Sequence, residues 1–352
     1  MTKKSINTRL MKLTSKFNSI DQVKSIILNK RHESSLNLKK DKQNLLTTLG
    51  SDEKSFLSMW STNNPNIEEI YIPNIVDGET ESNRLVRKYA VLEAIVEYSK
   101  NKKFDSEGML LPKIERTNID KIKIIFFEYN NQVFVIIYSN YDPNIYRVKK
   151  ILGEENIDED HDGYKISSDM FTWMFFKYSS FAGILDQTLK IKNIAGFMGN
   201  ISDEHNVFRG DSEQTSELIM TKAFISNGEK IKNLIVRAVD EMIDGTLRID
   251  EYSNINMNIN MSEIRGQFIA EDKEFFIPLY SYLYLIPRMI YLYKIDSKTF
   301  IETDKKNFSA KIGEEVILSI LEKNNIDIGL ISKKVVQTRN SKLLTLEKTG
   351  TL

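Results

Sequence analysis

The sequence predicts an α+β protein with a helical basic N-terminal segment, a central mixed sheet built on a buried β-hairpin, and a mixed α/β C-terminal region. Three observations lead there. Apolar residues recur at three- and four-residue spacing near the N-terminus, two β-branched and aromatic runs meet at Asn130–Asn131, and helix-type and strand-type patterns intermix downstream. At 352 residues with 41% hydrophobic side chains, the chain is long enough for a sizeable core and about two domains.

In chain order, Leu10, Leu13, Phe17 and Ile20 line one face of a helix, with Arg9, Lys12 and Lys16 elsewhere on its circumference. Asp21 caps a second helix carrying Val23, Ile26 and Ile27, and the cluster Lys39, Lys40 and Lys42 follows. The turn-rich Asn63–Asn66 marks a boundary, so 1–62 reads as the basic helical segment, 63–240 as a central domain and 241–352 as a C-terminal region with a soft boundary. A short strand spans Ile67 to Ile72, and Leu85, Tyr89, Leu92 and Val96 mark a further helix.

The run from Lys121 to Ser139 is a hairpin, because Asn130–Asn131 tolerate the positive φ of a tight turn. Ile122, Ile124 and Phe126 alternate with Ile125 and Phe127, which makes both faces apolar and places the pair centrally in a sheet covered on both sides. Helices are expected over 144–152, 169–180 and 212–226, the last stopped at Asn227–Gly228, and strands over 231–239, 246–252 and 255–261. A long helix starts at Phe275. Pro278, Pro287 and Arg288 interrupt its apolar stretch, which reads as a kinked core helix rather than a membrane span. A helix over 313–323 and a hairpin of 335–338 with 343–346 close the chain.

Formal charge is zero, but about +7 lies in the first 60 residues, about +4 in the last 22 and about −11 between. The absence of cysteine excludes disulfide frameworks, zinc ribbons and thiol catalysis, and suits a cytoplasmic setting. The first twenty residues lack the apolar core of a secretory signal, and their preference for Lys over Arg disfavours a mitochondrial presequence. Frequent Asn, Ile and Lys suit a bacterial or mobile-element source, such as a defence assembly.

Asp158, Asp160 and Asp162 with Gly163 match the opening of an EF-hand calcium loop, and Asp169 stands where the closing Glu belongs. The competing reading is a solvated acidic loop in which Ser167 or Ser168 caps the next helix. His32, His161 and His205 lack metal-ligand spacing, which disfavours a zinc hydrolase. Gly196 and Gly199 beside Asn200 are fragments of a phosphate loop without its lysine. Asp120, Glu128 and Lys123 are the residues available to a magnesium-dependent nuclease.

The expected function is a non-enzymatic binding protein, without a cofactor, that engages nucleic acid or another polyanion. The binding residues are Lys3, Lys4, Arg9, Lys12, Lys16, Lys30, Arg31, Lys39, Lys40 and Lys42, extended by Lys333, Lys334, Arg339 and Lys342 if the ends meet. A protein partner or a second copy would use the acidic body. The alternatives are the nuclease, with calcium or magnesium as cofactor, and an oligomeric structural subunit. The same charge polarity would arise if the basic arm docked on its own acidic body.

Overall fold

The computed structural model describes residues 5–76, 84–160, 163–200, 207–211, 215–217, 219–329 and 332–333. Its strands are β1 (Ser5–Leu13), β2 (Arg31–Ser35), β3 (Ser55–Trp60), β4 (Glu68–Ile72), β5 (Leu85–Ser99), β6 (Thr117–Tyr129), β7 (Gln132–Ile137), β8 (Ile157–Asp158), β9 (Lys190–Asn200), β10 (Val207–Asp211), β11 (Lys230–Val239), β12 (Ile243–Asp250), β13 (Ile255–Asn258) and β14 (Glu263–Ile264). The helices are α1 (Ile20–Ile26), α2 (Ser51–Lys54), α3 (Lys113–Arg116), α4 (Asp142–Leu152), α5 (Ser168–Ser180), α6 (Ile219–Ser226), α7 (Lys273–Tyr280), α8 (Ile286–Thr299) and α9 (Lys305–Lys323).

All the strands join one 14-stranded sheet, whose main path runs β10-β9-β11-β12-β13-β1-β7-β6-β5-β3-β2. Every described ladder is antiparallel, so the expected mixed sheet is corrected. Strand β1 is the join. Its residues Ser5–Thr8 pair with β13, and Arg9–Lys12 pair with β7.

The expected basic N-terminal helix is therefore overturned. Leu10 packs into one core, and Met11 and Leu13 into another on the opposite face, as alternation along a strand requires. A strand buried on both sides shows apolar residues three apart by putting them on opposite faces, and this imitates a helical stripe. The helix expected over Leu85–Val96 fails in the same way. It is β5, which pairs with β6 from Tyr89 to Ser99, and its Ala90, Leu92, Ala94 and Val96 face a single core. Helix α1 does form, with Ser19 as its N-cap residue and Asp21 in its first turn.

The hairpin is β6–β7, with Asn130 and Asn131 at φ 50° and 56°. Ile122, Ile124 and Phe126 face one core, and Ile125 and Phe127 the other. Helices α4 and α5 lie where expected, and the Ser167 hydroxyl accepts the Met170 amide at 3.2 Å. The helix expected over 212–226 is a 3-10 turn, Thr215–Glu217, followed by α6, and a left-handed Gly228 (φ 73°) stands beyond its end. The expected closing hairpin lies outside the described residues.

Two layers cover the sheet unequally. The larger core lies on one face along both halves of the sheet, under α5 and the continuous 51-residue helix Lys273–Lys323. The second core covers the other face only in the β7–β6–β5–β3 half, under α1 and α4. Across the β9–β11–β12–β13 half, no α-helical layer like α1 and α4 covers that other face among the described residues, although the 3-10 turn Ile259–Met261 meets β12 and β1.

The long helix is apolar enough by length and composition to cross a membrane, yet 83% of its most apolar window is buried against the rest of the chain. Two π-turns, Ser281–Leu285 and Phe300–Asp304, interrupt it. The first widens the helix just ahead of Pro287, where a regular turn would meet the proline ring. Its buried tyrosines find partners: Tyr280 donates to Asp240 at 2.8 Å, Tyr282 meets the Thr8 hydroxyl at 2.9 Å and Tyr284 bonds Thr188, while Tyr164, outside the helix, donates to the Tyr282 carbonyl at 2.7 Å.

Arg288 is buried and pairs with Asp186 at 2.6 Å while donating to the carbonyls of Ile75 and Val76. Burial pushes the Asp186 carboxyl up, but the Leu189 and Thr188 amides and the Arg288 guanidinium outweigh it and hold it below its ordinary value. A carboxyl held low in the folded state adds stability above the unfolded value of about 3.9 and loses it as pH falls from there through the lowered folded value. Asp186→Asn is expected to lower stability at neutral pH by about 3 kcal/mol and to flatten the decline below about pH 4. Urea unfolding at several pH values measures both.

Candidate polyanion interface

The N-terminal cations lie mostly against their own chain. Arg9 on β1 bonds Asp142, the first residue of α4, at 2.6 Å. Lys12 bonds Asp158 at 2.8 Å and reaches the Asp160 carbonyl at 3.4 Å. Lys30 bonds Glu155 at 2.9 Å, and this bond holds the Glu155 carboxyl below its usual range. Lys16 lies 5.1 Å from the centre of the Phe17 ring, and Lys42 lies 3.8 Å from that of Phe104. Arg31, Lys39, Lys40 and Lys333 are exposed. Lys3, Lys4, Lys334, Arg339, Lys342, Asp162, His161 and His205 lie outside the described residues.

The EF-hand-like segment is thus the counter-surface of the basic arm. Asp158 lies in β8, which pairs with the end of β1, and its second carboxylate oxygen accepts the Asp160 amide at 3.0 Å. Asp169, in the first turn of α5, bonds Lys305 at 2.6 Å. Among the described residues no group of three His, Asp or Glu side chains is disposed to hold a metal.

The candidate nuclease residues do not converge. Asp120 and Glu128 are at opposite ends of one face of β6, about 26 Å apart at strand rise. Lys123 points to the other face and lies over the rings of Tyr138 and Phe275, where burial lowers its pKa. Asp120 accepts from Tyr98 and Asn144, and Glu128 accepts the Ile20 amide at the start of α1. Gly196 and Gly199 are strand residues in β9. A Cβ on Gly199 would lie 2.4 Å from Phe224 and 2.5 Å from the Lys230 carbonyl, so this glycine serves close packing.

What the strands do bring together is the uncovered face of the β9–β13 half. Alternate residues there are polar because their neighbours fill the core beneath: Leu247 and Ile249 alternate with Thr246, Arg248 and Asp250, while Ile255 and Met257 alternate with Asn256 and Asn258. The register sets Ile235, Arg248, Asn256 and Asn7 in one row across four strands, and Asn256 donates to Asn7. The adjacent row holds Arg237 beside Asn193 and Thr246. On the side beyond Asn233, Met198 is opposite Arg209. At the seam, Arg9 and its partner Asp142 mark where the α4 layer begins.

One end of this face is organised by Asp244, which is fully buried. Arg237 grips it with two hydrogen bonds at 2.6 and 2.9 Å, Arg265 adds a third at 2.7 Å, and Lys192 stands 3.8 Å away. Bonding to Asp244 raises the Arg237 pKa further. One carboxylate thus holds three cations in fixed positions with a net positive surplus. Sequence reasoning passed over Arg237, Arg248 and Arg265, although the Asn alternation in 255–258 was visible.

No protein-family model matches the chain, and no characterised protein matches it.

Removing the central carboxylate leaves three facing cations. Asp244→Ala is expected to cost at least ~2 kcal/mol, and Arg237→Ala less, because Arg265 and Lys192 still neutralise Asp244. Urea unfolding of the two variants tests that order.

Proposed function

We propose that the protein binds nucleic acid through the uncovered face of the β9–β13 half-sheet, and not through its basic N-terminal residues. The observation that carries this reading is the cluster of Arg237, Arg265 and Lys192 fixed on Asp244, continued across the face by Arg248 and a row of asparagines. Cations held at fixed spacing neutralise phosphates and release counterions at little entropic cost.

Side-chain amides supply donors and acceptors for sugar and phosphate oxygens. The five strands from β9 to β1 span about 19 Å at the usual strand spacing, wide enough to seat a nucleic-acid backbone. No aromatic residue lies on this face among the described strand residues, so stacking platforms for unpaired bases are missing and a duplex is the favoured form. The N-terminal cations contribute less, because Arg9, Lys12 and Lys30 already have carboxylate partners.

Fluorescence anisotropy with labelled duplex and single-stranded oligonucleotides tests the proposal. With about four phosphates neutralised, affinity for duplex should drop about 100-fold between 50 and 200 mM salt. Arg248→Gln should weaken binding about 10-fold and reduce the salt slope by about one, with an unchanged melting temperature, whereas Lys30→Gln should change little. Absence of binding at low salt, or an unaltered Arg248→Gln variant, overturns it.

A further inference from the structure

A cleft of about 610 Å³ opens between the β2–β3–β5 edge and the outer side of α4. That size suits a small organic ligand. It lies on the α1–α4 side of the second half-sheet, apart from the face discussed above. Its floor follows from register: His32 pairs with Ser58, and Ser58 with Val96, which faces the second core, so all three side chains point toward α4. Tyr98, two residues on from Val96, shares that face, and Tyr146 and Arg147 on α4 form the wall.

The charges around this cleft are unequally committed. The two carboxylates at its rim are already neutralised, Asp142 by Arg9 at 2.6 Å and Glu97 by Lys113 at 3.1 Å. Arg147 lies 4.0 Å above the Tyr98 ring and gives one hydrogen bond, to Asn144 at 2.9 Å, out of the five donors a guanidinium carries. Tyr98 itself is held by Asp120 at 3.0 Å, which fixes the ring under the guanidinium. Ser58 is only 3% exposed, and neither its hydroxyl nor the His32 imidazole has a hydrogen-bond partner among the described residues. Both side chains line the open cleft, where their polar atoms are available to a ligand. Tyr146 is 57% exposed and offers a ring at the mouth.

We infer that this cleft binds a mononucleotide, with its phosphate on Arg147, its sugar or phosphate oxygens on Ser58 and His32, and its base against Tyr146. A fixed guanidinium with spare donors suits a phosphate, hydroxyl and imidazole groups lining the cleft suit oxygens, and an exposed ring suits a planar base. The same chemistry can come from a free nucleotide or from the phosphorylated end of a strand, and the experiment separates the two.

Calorimetry on the full chain with the four ribonucleoside 5′-monophosphates, the matching nucleosides and inorganic phosphate is the test. At least one nucleotide should bind with Kd below ~1 mM, and its nucleoside and phosphate alone at least ~10-fold more weakly. Arg147→Ala and Tyr146→Ala should each weaken the nucleotide about 10-fold without lowering the melting temperature, while Arg248→Gln leaves it unchanged, which separates this site from the open face. A 5′-phosphorylated oligonucleotide that displaces the nucleotide more effectively than its 5′-hydroxyl counterpart assigns the site to strand ends; equal, weak displacement by both assigns it to free nucleotides. No binding of any nucleotide at ~1 mM, or binding that survives both cleft substitutions, overturns the inference.

Discussion

The nine residues of β1 carry the constraint on which the other elements depend. Four of them complete the ladder of one half-sheet, and the next four begin the ladder of the other. Where the partner changes, the Asn254 side chain accepts the Leu10 amide at 3.3 Å and bridges the break left by β13. Alternation then assigns Leu10 to the core under the long helix and Met11 and Leu13 to the core under α1 and α4. A slip of one residue would exchange these sets and expose both cores, so the register is strongly specified. The pairing of Asn7 with Asn256 joins residues 249 positions apart in the chain. Closure entropy rises only with the logarithm of loop length, so this remote contact is tolerable where two ladders and two cores reward it.

The unequal covering of the sheet follows from where helices arise along the chain. Helices α1 and α4 connect strands of the second half-sheet and fold back on it. The first half-sheet is built from β9 to β13, whose connecting helix α6 packs instead beside the long helix, with Phe224 and Ile225 in the larger core. The strand sequences match this arrangement. Those in the second half are apolar on both faces, whereas β12 and β13 alternate Leu, Ile and Met with Thr, Arg, Asp and Asn. The long helix answers the opposite problem, an element buried almost all round. The hydroxyls of Tyr280, Tyr282 and Tyr284 and the Arg288 guanidinium end on Asp240, Thr8, Thr188 and Asp186, so these polar groups are satisfied in the core.

How far sequence reasoning reached depended on whether a local pattern had one meaning. The β6–β7 hairpin was legible because Asn130–Asn131 fix the turn and the flanking residues are β-branched on both faces. Helix α5 carried a serine cap, and both α4 and α5 formed where expected. Strands β1 and β5 were misread because apolar residues three and four apart occur equally on a strand with two buried faces. In β5 the signal that decides is the two-residue recurrence Ala90, Leu92, Ala94 and Val96, weakened by alanines that carry little hydrophobic weight. The open face was invisible for another reason. Arg237, Arg248 and Asn7 become neighbours only through the order of strands, which depends on the long-range placement of β1.

The same placement changes the meaning of the charge polarity. The pairs Arg9–Asp142, Lys12–Asp158 and Lys30–Glu155 are at the surface, and such pairs contribute about 0–1 kcal/mol each, so they do not hold the N-terminus in place. The ladders of β1 do that. Once β1 is fixed, its cations and the acidic segment around Asp158 are forced together, and their fields cancel beyond about a Debye length. Three of the N-terminal charges are thereby damped in the long-range potential, while Arg31, Lys39 and Lys40 stay exposed. On the β9–β13 face the balance differs, because Asp244 is fully buried and its cations are partly exposed. The carboxylate acts as an anchor beneath the surface while the guanidinium edges and the Lys192 ammonium face outward. A chain of zero formal charge thus holds Arg237, Arg265 and Lys192 together on one sheet face, at a site far in sequence from the residues that first suggested it.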